Sequence, residues 1–392
     1  MRRVLVTGLG AVSPFGAGVK AYWAGLAAGA CAIRPLTVID PAGFRCSIAA
    51  EVPEVTGGSP RRSRADRLAL GAAVEALADA GLSADERADA ALVVGAVGGG
   101  MLEAESWYWG RARGERTSGW AAALRSMLPA THAETLAHRL ALGGPRHTVV
   151  TACSSGAVAL AEAAELISDG VVDCAVAGGV DAVTRLCFMG FNALKLLDPA
   201  PCRPFDRDRR GMSIGEGAAF VVLEAAEHAR ARGARAYAEL AGYGMTTDAY
   251  HVTAPQPEGE GMARAMRAAL VAAGVGPDDV GYANAHGTAT PQNDRIEARA
   301  IAQVFGTGRL LVSSNKSMIG HTMAAAGSLE AVATILSLTH ETVPPTANLV
   351  TPDPEVDFDC VPRVAREAAL EHAISNSFGF GGQNITLLFR RA

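Results

Sequence analysis

Two periodicities trade places along the whole chain, and this alternation limits its fold more than any other feature. Short apolar runs of strand composition, "RRVLVTGLGAV", "AALVVGAVGGG", "HTVVTA" and "DCAVAGGVDAV", alternate with helical runs such as "RLALGAAVEALADAGL" and "GAVALAEAAELISDG". From residue 217 the succession resumes through "AYAELAGYGM", "GEGMARAMRAALVAAGV", "VGYANAHG", "DRIEARAIAQVFG", "LLVSSNK" and "GSLEAVATILSL". Apolar strands separated by helices of this length describe an α/β fold, its central sheets covered by helices. With 392 residues, 49% of them hydrophobic and 19% charged, the chain can fill a large core. A helix over 67–81 leads into "VVGAVGGG" and a helix over 261–274 leads into "YANAHGTAT", so the order of elements predicts two related halves meeting near residue 240. No Pro- or Ser-rich linker divides them, which predicts one fused body. The stretch from 101 to 130, with three of the four tryptophans, breaks the pattern. It is expected to run over the surface, lining a pocket or meeting a partner.

Charge and composition exclude several functions. A net charge of −5 gives no global basic field, and an aromatic content of 5% leaves little for stacking on bases, so nucleic acid is not an expected partner. No run reaches the roughly eighteen apolar residues of a membrane span, and the apolar start is broken at Thr7 and Gly8 with no cleavage signal after it. Seven cysteines, odd in number and never spaced C-x-x-C, read as reduced thiols. The expectation is a soluble, cytoplasmic protein with no membrane partner.

The chemistry-bearing residues sit at strand ends. In "HTVVTACSSGAVAL" a cysteine falls where a strand gives way to a helix. Helix N–H groups and the positive dipole end near Cys153 would favour thiolate over thiol. "YANAHGTATPQND" places His286 after an apolar strand, where open α/β sheets keep their sites. "SSNKSMIGHTMAAAGSLEA" places Lys316 and His321 five residues apart in a glycine-bounded loop, and "ISNSFGFGGQN" follows a short strand near the C-terminus. Each alone has an ordinary reading: a buried thiol, a satisfied histidine, a solvated lysine, a turn. One cysteine and two histidines fall a ligand short of a zinc site, with no carboxylate at helical metal spacing, so no metal is expected. "VTGLGAVSPFG" is similar to a nucleotide-binding turn but lacks the G-x-G-x-x-G spacing.

Taken in order, "TACSSG", "NAHGTAT", "NKSMIGHTMAAAGSLEA" and "NSFGFGGQN" resemble the active-site motifs of the β-ketoacyl-acyl-carrier-protein synthases, the elongating type similar to synthase II. "RPFDRDRRGMSIGEGAAFVVLE" and the opening "RRVLVTGLGAVSPFG" extend the resemblance over nearly the whole chain. It is poorest over 101–130, about where that family sets its acyl pocket. The resemblance implies a thiolase-like fold, two related α/β halves in alternating layers of helix and sheet. Residues 1–240 would form the half with the nucleophile, and residues 241–392 the half with both histidines and the "GFGG" loop.

The same resemblance implies roles. Cys153 would take an acyl group from a carrier-protein phosphopantetheine thioester or from coenzyme A. The N–H groups of Cys153 and Phe380 would form an oxyanion hole, with Phe380 also gating malonyl entry. His286 and His321 would stabilise the enolate left by decarboxylation, with Lys316 adding positive potential and Glu330 holding Lys316 or a water. Thr288, Thr290 and Phe378 would bind pantetheine. Arg61, Arg62, Arg64 and Lys195 would form a basic rim for the acidic acyl carrier protein. No cofactor of the chain's own is implied, since the phosphopantetheine rides on the carrier, and a homodimer or a heterodimer with a related subunit is expected. Chain-length-factor subunits lack the nucleophile that this chain keeps. Degradative thiolases use a second cysteine where "SNSFGFGGQN" has none, and Cys360 lies outside any motif. A specialised polyketide or aryl-polyene ketosynthase with a degenerate partner stays open beside fatty-acid elongation.

Overall fold

The computed structural model describes residues 2–55, 62–116 and 119–392. The first half contributes β1 (Val4–Ser13), α1 (Arg64–Ala80), β2 (Ala91–Ala96), α2 (Met101–Ala112), α3 (Trp120–Ser126), α4 (Ala130–Leu140), β3 (Arg146–Val149), α5 (Ser155–Ser168), β4 (Cys174–Asp181), α6 (Arg185–Ala193) and β5 (Gly217–Ala225). The second contributes β6 (Ala238–Thr247), α7 (Glu260–Ala273), β7 (Val280–Asn284), α8 (Pro291–Phe305), β8 (Leu311–Ser313), α9 (Lys316–Ile319), α10 (Ala326–His340), β9 (His372–Gly379) and β10 (Gln383–Arg391).

These ten strands lie in the order β8-β7-β9-β10-β6-β1-β5-β4-β2-β3. Within each half the strands therefore run third, second, fourth, fifth, first, and the directions agree as well. The second strand of each half is parallel to the third and the fourth. The fifth is antiparallel to the fourth and the first. Within the sheet the two halves pair edge to edge, with Leu5 opposite Glu239 and Val6 opposite Ala238. The strand that opens the second half begins at Ala238, slightly before the expected seam near 240.

Helices α1 and α4 cover the outer face of the first half, and α7 with α8 that of the second. Between the halves lie α5 and α10, packed on each other and on strands from both. Helix α10 is buried on every side from Ala326 through Leu338, as its apolar periphery requires. The layers thus run helix, sheet, helix, sheet, helix.

Small residues set these spacings. The opening "VTGLGAV" is expected to turn at its glycines, but β1 continues through them, with a register shift between Val6 and Gly8. A Cβ on Gly10 would stand 1.9 Å from the Ala72 carbonyl oxygen, so glycine is what lets α1 and its alanine face lie against β1. The two central helices meet in the same way: a Cβ on Gly156 would stand 2.7 Å from the Ala324 carbonyl oxygen, and one on Gly327 would stand 2.7 Å from the Ala157 backbone nitrogen. Among the described residues no helix is long and apolar enough to cross a membrane.

Candidate active site

Strand β3 ends just before the nucleophile turn, and hydroxyls hold that turn. Ser154 donates to the Thr151 carbonyl at 2.7 Å, Ser155 donates to the Ala152 carbonyl at 2.7 Å, and the Thr151 N–H donates to Ser155 Oγ at 2.9 Å. Ala152, with φ of 51°, makes the sharp reversal that puts Cys153 at the mouth of α5. The N–H groups of Phe380 and of Cys153 itself both act on the thiol to lower it. The expected lowering of the thiol does not follow from this arrangement. Cys153 is 7% exposed, and burial pushes its thiol up to about 11, against the pull of the Lys316 ammonium and the Phe380 N–H. The helix end is real, but desolvation outweighs it.

Cys153 shares one cavity of about 440 Å³ with His286, His321, Thr288, Thr290, Phe378 and Phe380. The imidazoles stand edge to face, 5.5 Å apart at 88°. Their hydrogen bonds fix their protons. The Met323 N–H donates to His321 Nδ1 at 3.3 Å, and the Lys316 ammonium lies 3.3 Å from His286 Nδ1. An ammonium and an amide N–H can only donate, so both Nδ1 atoms accept and both rings carry their proton on Nε2. Burial and the nearby Lys316 charge hold both rings well below the usual imidazole range, so they are neutral donors. His321 Nε2 is buried with no partner among the described residues. Behind the histidines, out of the cavity, Lys316 pairs with Glu330, both almost wholly buried. Burial pushes the Glu330 carboxyl up to about 7 although Lys316 pulls it down.

The proposed rim is less uniform. Lys195 is exposed between Leu194 and Leu196, which line the cavity. Arg64 is no docking residue: its guanidinium turns inward to Glu216, with Nε at 2.9 Å from the carboxylate, and donates to the Val52 carbonyl at 2.9 Å. Glu216 in turn accepts the Val52 and Val183 N–H groups, so this arginine neutralises a buried structural carboxylate. Arg62 is half-buried and does not line the cavity, and Arg61 lies outside the described residues.

Several supporting residues were not foreseen. Glu297 accepts the N–H groups of His286 and Gly287 at 2.8 Å each, and Asp294 accepts those of Ala289 and Phe205 at 3.0 and 2.8 Å. Both belong to the buried face of α8 with Ala298 and Ile301, and acids on an apolar helix face were a readable signal. Asp248 accepts from Asn384 at 2.7 Å while its N–H donates to the Gly382 carbonyl at 2.8 Å, and the Gly381 N–H donates to the Val252 carbonyl at 2.8 Å. These bonds tie the Phe380 loop to residues 248–252. Phe380 packs on Phe191, ring centres 5.7 Å apart. The 101–130 stretch forms α2 and α3, which with α6 border an apolar groove of about 400 Å³ walled by Met101, Trp109, Leu124, Met127, Leu186 and Met189.

Joining two thioesters through carbon requires a sulfur to hold one of them and N–H donors for the negative oxygen of the other, and on this layered double sheet both requirements meet in one cavity. The class so defined is that of the acyl-transferring condensing enzymes of thiolase-like fold. Residues 1–229 match the family model described as beta-ketoacyl synthase, N-terminal domain, and residues 237–350 match its C-terminal domain; the chain belongs to the beta-ketoacyl synthase family. It is 40% identical over 408 residues to 3-oxoacyl-[acyl-carrier-protein] synthase 2 of Synechocystis, covering 100% of this chain and 98% of that one. Among solved structures it is similar to the ishigamide ketosynthase/chain length factor, with a TM-score of 0.94 and 37% identity, covering 100% of this chain and 99% of that one. It is also similar to a type II polyketide ketosynthase in complex with its acyl-carrier protein, with a TM-score of 0.92 and 32% identity over 100% and 99% of the two chains.

Proposed function

We propose that this chain elongates an acyl group held on Cys153 by decarboxylative condensation with a malonyl thioester, both delivered by a cytoplasmic acyl carrier protein. The observation that carries this reading is the pair of neutral imidazoles, each with an Nε2–H donor, on the cavity that holds Cys153.

In the first half-reaction Cys153 sulfur attacks the acyl thioester carbon. The N–H groups of Cys153 and Phe380 stabilise the tetrahedral oxyanion. The carrier thiol leaves with the proton that Cys153 gives up. In the second, the bond between the malonyl carboxylate and its α-carbon breaks, and carbon dioxide departs. The electron pair moves into an enolate whose oxygen accepts from His286 and His321. The enolate carbon attacks the acyl carbon, a carbon–carbon bond forms, and the Cys153 sulfur is expelled as thiolate and takes up a proton from solvent, leaving a 3-oxoacyl thioester. Lys316 orients His286, and Glu330 balances that buried charge. Thr288, Thr290 and Phe378 hold the pantetheine arm, and Lys195 meets the acidic carrier. The chain needs no metal or cofactor of its own, because the phosphopantetheine belongs to the carrier.

The acid test is intact-protein mass spectrometry after incubation with acyl-carrier thioesters. Wild type gains the acyl mass and Cys153→Ala does not; no adduct with any donor overturns the reading. A specialised polyketide or aryl-polyene role beside a related, degenerate subunit is the second reading, and one observation bears on the partner it needs. Tyr108, Trp109, Trp120, Leu124 and Leu128, on and beside α2 and α3, are all exposed. An apolar face of this kind suits a second chain of the same fold, either a copy or a relative. Labelling that requires an added partner favours the relative.

A further inference from the structure

Asp181 ends β4 and is 1% exposed, yet neither half-reaction uses it. Its Oδ1 accepts the N–H groups of Gly98 and Gly99 at 2.7 and 3.1 Å, and its Oδ2 accepts the Ala324 N–H at 3.1 Å. Ala324 is confined on its carbonyl side as well, because that oxygen would be only 2.5 Å from a Cβ on Gly179 and 2.7 Å from one on Gly156. Ala324 directly follows Met323, whose left-handed backbone, φ 57°, aims its N–H at His321 Nδ1. A methionine in this conformation costs roughly 1–3 kcal/mol and persists only where its surroundings impose it. The Asp181 carboxylate, reaching across from the other half, holds the N–H of the residue that follows Met323.

We infer that Asp181 is a positioning residue for malonyl decarboxylation: it anchors the Ala324 peptide so that the Met323 N–H holds His321 with its Nε2 proton turned to the enolate oxygen. This deepens the proposed function and rests on that reading. Three N–H groups converge on a carboxylate with four acceptor sites. In Asp181→Asn the amide oxygen would stay with the two glycine N–H groups, and its NH₂ would face the Ala324 N–H donor to donor. The 323–324 peptide would be displaced while the Cys153 turn keeps its own serine bonds. Acyl transfer should not suffer through the thiol either, because the Asp181 charge opposes ionisation of Cys153.

The test measures both half-reactions separately in wild type and Asp181→Asn, as acylation of Cys153 from an acyl-carrier thioester and as release of carbon dioxide from malonyl-carrier thioester. The expected result is acylation within about threefold of wild type and decarboxylation slower by on the order of 100-fold, the cost of one misplaced oxyanion donor, with KM for the malonyl substrate unchanged. A general structural defect would lower both together. Either that outcome or two unchanged rates overturns the inference while leaving the proposed function intact. Wild type inactive in both assays overturns the proposed function, and the inference with it. Should Asp181→Asn not fold, Asp181→Ser gives the same comparison. Nitrogen NMR of histidine-labelled wild type, with His321 assigned through His321→Asn, needs no stable Asp181 variant: a proton on Nδ1 of His321 overturns the inference.

Discussion

Replacing Lys316 by methionine tests whether the buried pair behind the histidines behaves as its surroundings require. Methionine fills the space but leaves Glu330 without a cation, with both side chains almost wholly buried in the native pair. The Glu330 carboxyl rises from 4.5 to about 7 on folding, so the native chain holds its proton more tightly than the unfolded chain. Its contribution to stability therefore falls as pH rises from 4.5 to 7 and is level above that, where both states are ionised. Without Lys316 the downward pull is gone, the folded value rises further, and the fall continues beyond pH 7. The variant should lose a factor of ten in its folding equilibrium per pH unit relative to wild type. From pH 7 to 9 this amounts to roughly 3 kcal/mol, at the lower edge of the roughly 3–5 kcal/mol for stranding a buried charge. Urea midpoints at pH 6, 7, 8 and 9 measure it. Asp181 is not drawn down by Lys316 and cancels in the difference, whereas Glu297, which Lys316 also draws down, adds a smaller change of the same sign. Adding Glu330→Gln should remove most of the difference, since the group that Lys316 pairs with is gone. A wild-type to Lys316→Met gap that stays constant from pH 7 to 9 would refute this account of the pair.

Three further outcomes are expected. Alkylation of Cys153, followed by peptide mass spectrometry, should accelerate about tenfold per pH unit between 7 and 9, because its thiol titrates near 11; a plateau already at pH 7 would show that the helix end prevails over burial. Gly156→Ala should lower stability by roughly 1–3 kcal/mol in denaturant melts, since the new methyl meets backbone of the neighbouring helix and not a yielding side chain. Arg64→Ala should destabilise by roughly 3–5 kcal/mol through the stranded Glu216 and leave KM for the carrier substrate of the folded enzyme unchanged. Lys195→Glu should instead raise that KM and spare stability, as a rim charge does.

What the sequence made legible is what lies next to a strand end. Cys153, His286, Lys316 and His321 each follow a short apolar run, and these runs pair within one sheet whose ends open on one cavity. The helix-strand pairs over 67–96 and 261–284 likewise occupy equivalent places in the two halves. Residues that act through remote partners were not legible. Asp181 makes its bonds 83 and 143 residues away, and nothing around "GGVDAV" announces them. Arg64 shows the converse error. In "RRSRADR" it looks like surface charge, and only Glu216, 152 residues on, reveals that it points inward. The sulfur differs from expectation for a related reason: a helix start can be read locally, but the depth of burial that raises the thiol is a property of the whole packed body.

The contact between the two central helices also governs how such chains can be recombined. A crossover between β5 and β6 would join a first half carrying Gly156, Ala157 and Gly179 to a second half carrying Ala324, Gly327 and Ser328, and these six positions touch across the junction. A chimera that keeps all six small would inherit the spacing that sets the nucleophile against the histidines. One that enlarges 156 or 327 would force the helices apart, leaving both parents' catalytic residues present and the cavity between them misaligned.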